Sequence, residues 1–506
     1  MWDPAQYADD SVRLCALLKS HGKGWLHGLF SIERTRAPGL VWFGQFFVGL
    51  HPLFGSIERA LLFCNMLFQA AIVWIIYDIC RRLADGRKIV ATACALFVSA
   101  APLFVNLGHG YYVETFQLLT VALLWRLAVI SPEISRLDLI ISAAIVVVLG
   151  IDAKVSTPLF MGPPILLAAL GTFGVLLPRP ATPRNYKRLT RVFLLTATAL
   201  ISAFTLAWYI YNFRCVLTYL KLPLTTAFWG SFDPFPIKFL RWLHFLQISF
   251  LRGLVLYAAL AAAVIAFFFH VRRGWRFERY RDSIALGGLA SLILAITVYS
   301  MAPNEDYRLA LPILPSIVII LAWALHKNHS PLVLVFCLVA IGYGFEVQGE
   351  ALGIIPLRYP IWIKAVHTDL TLSKELTALV NLTSTPETDN HSQICGVNYP
   401  WLNSFVLSFY AAKEKVLNGG FMPSYTENGL WPEDSDVDKA LKYTNSINPK
   451  FIISVREDLQ PPPNLINTVN LAYLSHVRAD PRYEQVEFPS TLGIIVFKRV
   501  DDLPGG

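Results

Sequence analysis

Ten apolar runs dominate the first two-thirds of the sequence, and they limit what it can fold into. They cover residues 57–80, 88–105, 111–130, 137–151, 155–177, 192–211, 248–270, 284–301, 309–325 and 331–345. A bilayer core about 30 Å thick takes roughly 20 helical residues to cross, which is the length scale of these runs. Inside lipid each segment must satisfy its own backbone donors and acceptors, so such runs fold as helices. Of 506 residues, 55% are hydrophobic and 15% charged, whereas soluble domains carry about a quarter charged. The chain reads as a polytopic α-helical membrane protein with a bundle of about ten helices over residues 57–345.

The net charge of +8 does not mark a nucleic-acid binder, because the cations sit in short loops between apolar runs. Arg81, Arg82, Arg87 and Lys88 follow the first run, and Arg126 and Arg136 the third. Arg179, Arg184, Lys187, Arg188 and Arg191 follow the fifth; Arg272, Arg273, Arg276, Arg279 and Arg281 follow the seventh. By the positive-inside rule these alternate loops face the cytoplasm. Residues 1–56, 106–110, 152–154, 212–247 and 302–308, and everything after about 346, then face outward. The seven cysteines show no CxxC spacing, and four lie inside apolar runs, which argues against a disulfide framework or a zinc site.

Residues 1–56 form an outer-face segment with amphipathic and re-entrant parts. Asp3 is expected on a loop just before a helix that opens over residues 7–14. Residues 37–55 are apolar but broken by Pro38, Pro52 and glycines, so they read as lying on or dipping into the bilayer. No signal or span in the sequence carries this segment outward, so a first helix upstream of Met1 is expected. Residues 346–506 change character and read as a small outer-face α/β domain. Strands are expected over 394–397, 451–455 and 492–498, and helices over 401–415 and 436–443. Asn381 and Asn390 begin acceptor sequons in form.

The outward loops hold ionisable and aromatic residues that are costly near membrane depth and so point to a site. GHGYYVETF gives His109, Tyr112 and Glu114, and GIDAKVSTP gives Asp152 and Lys154. Arg214, Trp229 and Asp233 fall in the long fourth loop, and PNEDYRLALPILP gives Glu305, Asp306 and Arg308. Asp3, Tyr7, Asp9, Asp10 and Arg36 join them from the N-terminal segment. Each also has a plainer reading: Asp3 as a helix cap, Lys154 and Arg308 as cations reaching to lipid headgroups, the tyrosines as an interfacial belt. A transporter would instead place ionisable groups near the midplane between repeated halves, and no two halves repeat.

Four stretches together resemble the GT-C superfamily of integral-membrane glycosyltransferases. The branch is that of protein O-mannosyltransferases, lipid A aminoarabinose transferases and lipopolysaccharide galacturonosyltransferases. Asp3-Pro-Ala-Gln-Tyr7-Ala8 resembles the Asp-Glu-x-x-Tyr-Ala motif of the first loop, with Pro4 in place of Glu. Arg36-Ala-Pro38-Gly-Leu resembles a Lys/His-Pro-Pro-Leu stretch, and Asp152-Ala-Lys154 a Thr-Lys after an apolar helix. Glu305-Asp-Tyr-Arg308-Leu-Ala-Leu-Pro312-Ile-Leu-Pro315 resembles Arg-Tyr-x-x-Pro-x-x-Pro, with Tyr and Arg reversed. The resemblance covers roughly residues 1–345. It implies an inverting transferase of a bacterial inner membrane, with its site and C-terminal domain on the outer side. Such an enzyme moves a sugar from a polyprenyl-phosphate carrier to a glycan, lipid or protein acceptor. It implies Asp3 as base, Lys154 and Arg308 on the carrier phosphate, and Glu114 orienting the acceptor. No certain cofactor follows, and a divalent metal is left open. A lipid-linked-sugar flippase and a non-catalytic scaffold are the alternatives.

Overall fold

A computed structural model describes residues 3–20, 24–175, 185–225, 231–250, 279–326, 330–351, 354, 370–389, 391–399, 401–429, 436–459 and 465–500. The helices in chain order begin with α1 (Asp3–Lys19), α2 (Trp25–Ser31), α3 (Gly39–Gly49) and α4 (His51–Phe54). Then come α5 (Ile57–Leu83), α6 (Lys88–Ala100), α7 (Pro102–Gly108), α8 (Val113–Ile130), α9 (Arg136–Ala153), α10 (Pro158–Thr172), α11 (Arg188–Thr225) and α12 (Phe235–Phe250). After these stand α13 (Arg279–Met301), a 3-10 helix over Tyr307–Ile313, α14 (Leu314–His326) and α15 (Ser330–Ala351). The last part carries α16 (Leu370–Thr383), α17 (Ser404–Asn418), α18 (Val437–Ile447), α19 (Leu465–Ala479) and five strands. The chain divides into two compact units. One comprises Met1–Ile32, Val41–Leu61 and Val366–Gly506, the other Glu33–Leu40 and Leu62–Ala365.

The first unit is built on a five-stranded mixed sheet. Its strands are β1 (Ser392–Cys395), β2 (Ser424–Thr426), β3 (Phe451–Val455), β4 (Tyr483–Val486) and β5 (Ile494–Arg499), in the order β2-β1-β3-β5-β4. β2, β1 and β3 run parallel, and β5 runs antiparallel to both β3 and β4. Strand alternation sends Phe451, Ile453 and Val455 into one core and Ile452 into the other. All five residues of β3 are therefore buried, as befits a strand covered on both faces. The sequence located β1, β3, β5, α17 and α18. It missed α16 and α19 and the short strands β2 and β4.

α1 packs along α17 in this unit. The helix starts at Asp3 itself, not at residue 7. Pro4 falls in the first turn, where its missing N–H is no loss and its fixed φ suits a helix. Packing buries Tyr7, Asp9 and Asp10. Arg13 Nε donates to Asp9 Oδ1 at 2.8 Å, one turn along. Lys413 Nζ meets Glu58 Oε1 at 2.6 Å.

The second unit is the helical bundle. Among the described residues, six helical segments are long and apolar enough to cross a membrane: Ile57–Leu83, Val113–Ile130, Arg188–Lys221, Tyr280–Met301, Arg308–His326 and Val333–Glu350. The run over 88–105 breaks into α6 and α7 with a bend of 60°, because Pro102 cannot continue the hydrogen-bond ladder of α6. The run over 155–177 is helical only through α10. Residues 212–225 are not loop: α11 continues through them, and α12 fills 235–250. The expected span over 248–270 lies, past residue 250, outside the described residues, as do Trp229 and Asn390.

One end of the bundle gathers the basic loops. Asp78 accepts from Arg82 Nε at 3.2 Å and Arg126 Nε at 3.0 Å, and Arg82 Nη1 reaches Glu133 at 2.6 Å. Arg281 pairs with Asp85. Arg191 Nε meets the fully buried Asp138 at 2.6 Å, and Tyr186 N donates to the same carboxylate at 2.8 Å. Among the described loop cations, Arg82, Arg126, Arg191 and Arg281 are thus each tied to a carboxylate at this end.

Candidate functional site

The register of two helices defines the opposite end. Arg191 of α11 meets Asp138 of α9, and Thr205 of α11 donates to Asp152 of α9 at 2.6 Å. Both steps are 14 residues, about 21 Å at 1.5 Å per residue, so α9 and α11 run parallel and carry a polar lock at each end. Asp152 is 1% exposed, and its Oδ1 has no hydrogen-bond partner among the described residues.

The segment over residues 33–40 closes over this end of α9. Glu33 Oε1 accepts from Thr35 N at 2.8 Å, Thr35 Oγ1 at 2.9 Å and Arg36 N at 2.9 Å, folding the chain into a tight turn. The buried Trp208 donates its indole N–H to Glu33 O at 3.0 Å. Tyr111 Oη donates to Leu40 O at 2.8 Å. Gly39 lies so close to α9 that a Cβ there would stand 2.6 Å from the Asp152 carbonyl oxygen. The Arg36 guanidinium stacks 5.7 Å from the centre of the Tyr219 ring.

Beside Asp152, the chain turns from α9 into α10. Lys154 Nζ crosses to Glu114 Oε1 at 2.7 Å. Glu114 sits in the first turn of α8, where the helix dipole favours a carboxylate. Its side chain is 2% exposed against 22% for that of Lys154, and its Oε2 has no hydrogen-bond partner among the described residues. Gln117 Nε2, one turn further along α8, donates to Ser156 Oγ at 3.2 Å.

The segment before α14 adds a second cation. Asp306 caps the 3-10 helix by accepting from Arg308 N at 3.0 Å. The same carboxylate takes Arg308 Nε at 2.9 Å and Nη2 at 2.5 Å, and the guanidinium lies 5.5 Å from the centre of the Tyr112 ring. Tyr299 of α13 donates to Leu309 O at 3.1 Å, and Tyr112 directly precedes α8, whose first turn carries Glu114. The Lys154–Glu114 and Arg308–Asp306 pairs therefore share one end of the bundle.

Glu305 belongs to a neighbouring knot. Arg241 of α12 binds Glu305 and, at 2.7 Å, Asp233. Ser231 Oγ lies 2.8 Å from an oxygen of each carboxylate and shares its one proton between them. These bonds from Ser231 and Arg241 hold the Asp233 carboxyl below its ordinary range. Lys238, one turn before Arg241, is buried and donates to Ala302 O at 2.8 Å. His109 is half-buried on a loop that Asn65 pins through Leu107 O at 3.1 Å, and burial lowers the imidazole pKa.

Of the residues read from the sequence, Arg36, His109, Tyr112, Glu114, Asp152, Lys154, Glu305, Asp306 and Arg308 belong to the bundle unit. Arg214 departs from its expected loop: it is an exposed residue of α11. Tyr7, Asp9 and Asp10 belong to the other unit, and the Asp3 side chain lies outside the described residues. Burial raises the Asp9 carboxyl, against the pull of Arg13. Sequence reasoning passed over Glu33, Thr205, Trp208, Ser231, Lys238, Arg241 and Tyr299. Only Lys238 and Arg241 left a signal, as two cations three apart in an apolar run, FPIKFLRWL. Among the described residues no group of three or more His, Cys, Asp or Glu gathers as a metal-ligand set.

Comparison with known proteins follows this geometry. Residues 35–209 match the sequence model of the family described as dolichyl-phosphate-mannose-protein mannosyltransferase. No curated protein matches the sequence. The fold is similar to that of ArnT from Cupriavidus metallidurans bound to undecaprenyl phosphate: TM-score 0.58, 12% identity, with 100% of this chain and 94% of that chain covered. The apo state of that protein gives TM-score 0.55 at 14% identity, covering 98% and 93% of the two chains. The chain is an integral membrane protein with the GT-C-like fold expected from its sequence, and it carries a small C-terminal sheet.

Proposed function

We propose that the protein is an inverting glycosyltransferase that takes a sugar from a polyprenyl-phosphate carrier. The acceptor is a glycan, lipid or protein, and transfer occurs at the outer face of a bacterial inner membrane. The plan of the chain is an N-terminal segment to residue 56, a bundle over 57–345 and an outer α/β domain over 346–506. One observation carries this reading. Lys154 stands beside two buried carboxylates, Glu114 and Asp152, each with one oxygen that lacks a hydrogen-bond partner among the described residues. An ammonium suits a phosphate, and orphaned carboxylate oxygens suit the hydroxyls of a sugar or acceptor, since a buried acceptor left unpaired costs about 1–3 kcal/mol. The matched family is described by dolichyl phosphate and the similar ArnT fold binds undecaprenyl phosphate, and both are polyprenyl phosphates.

The chemistry has three requirements. A base takes the acceptor proton, the acceptor oxygen attacks the anomeric carbon from the face opposite the phosphate, and cations neutralise the departing phosphate. Lys154 and Arg308 take the last role, Glu114 orients the acceptor, and Asp3 is the base by virtue of its place in the first-loop motif.

The test is incubation of purified protein in nanodiscs with a panel of polyprenyl-phosphate sugars and acceptors, with mass spectrometry of the released carrier. Release that depends on acceptor is expected. Movement of the lipid-linked sugar across the bilayer without release would replace this reading with a flippase. Binding of carrier without either would leave a scaffold.

A further inference from the structure

A cavity of about 370 Å³ opens at the ends of the central strands β1, β3 and β5 in the α/β unit. Its wall includes Glu387, His391, Ser392, Ile447, Lys450 and Arg499. The ladder explains why the two cations meet. β3 and β5 pair Phe451 with Lys498, and Arg499 N extends the pairing by donating to Lys450 O at 2.8 Å. Lys450 and Arg499 are thus directly opposed across an antiparallel pair, and directly opposed side chains share a face. Like charges so placed repel each other. Among the described residues of the wall, Glu387 supplies a carboxylate, whose Oε2 meets Lys450 Nζ at 3.1 Å. The two differ sharply in exposure: the Lys450 side chain is 9% exposed and that of Glu387 65%. A solvent-exposed carboxylate is a weak partner, and it stands at the mouth where an incoming anion would replace it.

We propose that this cavity is a binding site for a small saccharide that carries a phosphate or carboxylate group. Lys450 and Arg499 take the anion. The His391 ring and the Ser392 hydroxyl stand beside them as partners for sugar hydroxyls. The volume exceeds one inorganic anion and falls in the range of small-molecule sites, about 300–1,000 Å³. The lining favours a polar ligand, because Ile447 is the one aliphatic side chain among its described residues. The floor is rigid: Gln393 is buried and holds Phe451 N at 2.8 Å, and Arg499 Nη1 holds Asn448 O at 2.7 Å. The inference does not rest on the transferase reading, since binding is measured without turnover.

The experiment is titration calorimetry of the full chain in nanodiscs against glucose 6-phosphate, glucuronate, glucose and inorganic phosphate. Glucose 6-phosphate and glucuronate should bind, with glucose weaker by roughly tenfold to a hundredfold, the value of one charge-assisted contact. Lys450→Gln and Arg499→Gln should each weaken the anionic sugars by a similar factor. Lys450 is buried and its replacement can disturb the fold, so Glu387→Gln, on an exposed side chain, is the companion variant. It removes the competing carboxylate and should tighten anion binding. Glucose binding as well as its phosphate would overturn the proposal, as would inorganic phosphate matching glucose 6-phosphate. Absence of binding by every probe, or unchanged affinity in both Arg499→Gln and Glu387→Gln, would do the same.

Discussion

Replacing Lys154 by Ala removes two things at once, and the structure shows how to separate them. The first is the partner of Glu114, whose carboxylate is 2% exposed and already has Oε2 without a partner. Stranding a buried charge typically costs about 3–5 kcal/mol. The Lys154 side chain is 22% exposed, so water can enter in its place, and the lower end, about 3 kcal/mol, is expected. The second is the proposed contact to the carrier phosphate, which contributes about 1.5–3 kcal/mol, or roughly tenfold to a hundredfold in donor KM. Lys154→Ala/Glu114→Gln removes the stranded charge and keeps its shape. It should recover stability to within about 1 kcal/mol of the parent and leave the donor KM as poor as in the single variant. Thermal unfolding in detergent reads the first effect and carrier release at varied donor the second. Donor KM is the informative readout, since Glu114 has its own proposed part in turnover. Recovery of both in the double variant would refute the phosphate role and leave Lys154 as a neutraliser of Glu114.

Asp3→Asn keeps shape but cannot take a proton, so turnover should fall at least about a hundredfold with expression intact; parental activity would remove Asp3 as base. Gly39→Ala puts a methyl 2.6 Å from the Asp152 carbonyl oxygen, where backbone cannot yield, and should lower stability by about 1–3 kcal/mol. Burial raises the Glu427 carboxyl from 4.5 to about 7. Its contribution is therefore complete below pH about 4.5 and lost as pH rises through about 7. Glu427→Gln should then gain on the parent across that window and level off above it, and a constant difference in unfolding midpoint would contradict this. Cys395 cannot report sidedness, because it is fully buried and its thiol is pushed up to about 12. Asp438→Cys, on an exposed residue of α18, should instead react with an impermeant maleimide in intact spheroplasts lacking Cys215. Labelling only after permeabilisation would reverse the topology.

The bundle was legible because its signal is spread over many residues. A run of about 20 apolar positions survives an error of several residues at either end, and the loop cations supply an independent phase. Shorter features carry less redundancy. The kink at Pro102 is written in one residue, yet it splits a span. The extension of α11 to Thr225 was missed because Arg214 and Lys221 interrupt the apolar pattern, although both have good helix propensity. In the α/β unit, β3 shows five apolar residues in a row, whereas β4 reads Tyr-Glu-Gln-Val with two exposed positions. Nothing in that stretch separates an edge strand from a loop.

The candidate site was half legible, and the missing half is the set of partners. Lys154 and Arg308 stand out in sequence as cations beside apolar runs, which suggests groups waiting for a phosphate. Their partners come from different distances: Glu114 lies 40 residues before Lys154, while Asp306 lies two before Arg308. Arg241, which ties Glu305 to Asp233, was hidden in a segment read as loop. The consequence is chemical. A phosphate approaching this end meets cations already neutralised, so it must share or displace a carboxylate. Arg308 is held in a fork by Asp306, and one substitution frees little of it. Lys154 offers a single ammonium with one bond to Glu114 and a side chain open to solvent at one edge. Exchange of partner is easiest there. The donor phosphate should therefore depend more steeply on Lys154 than on Arg308.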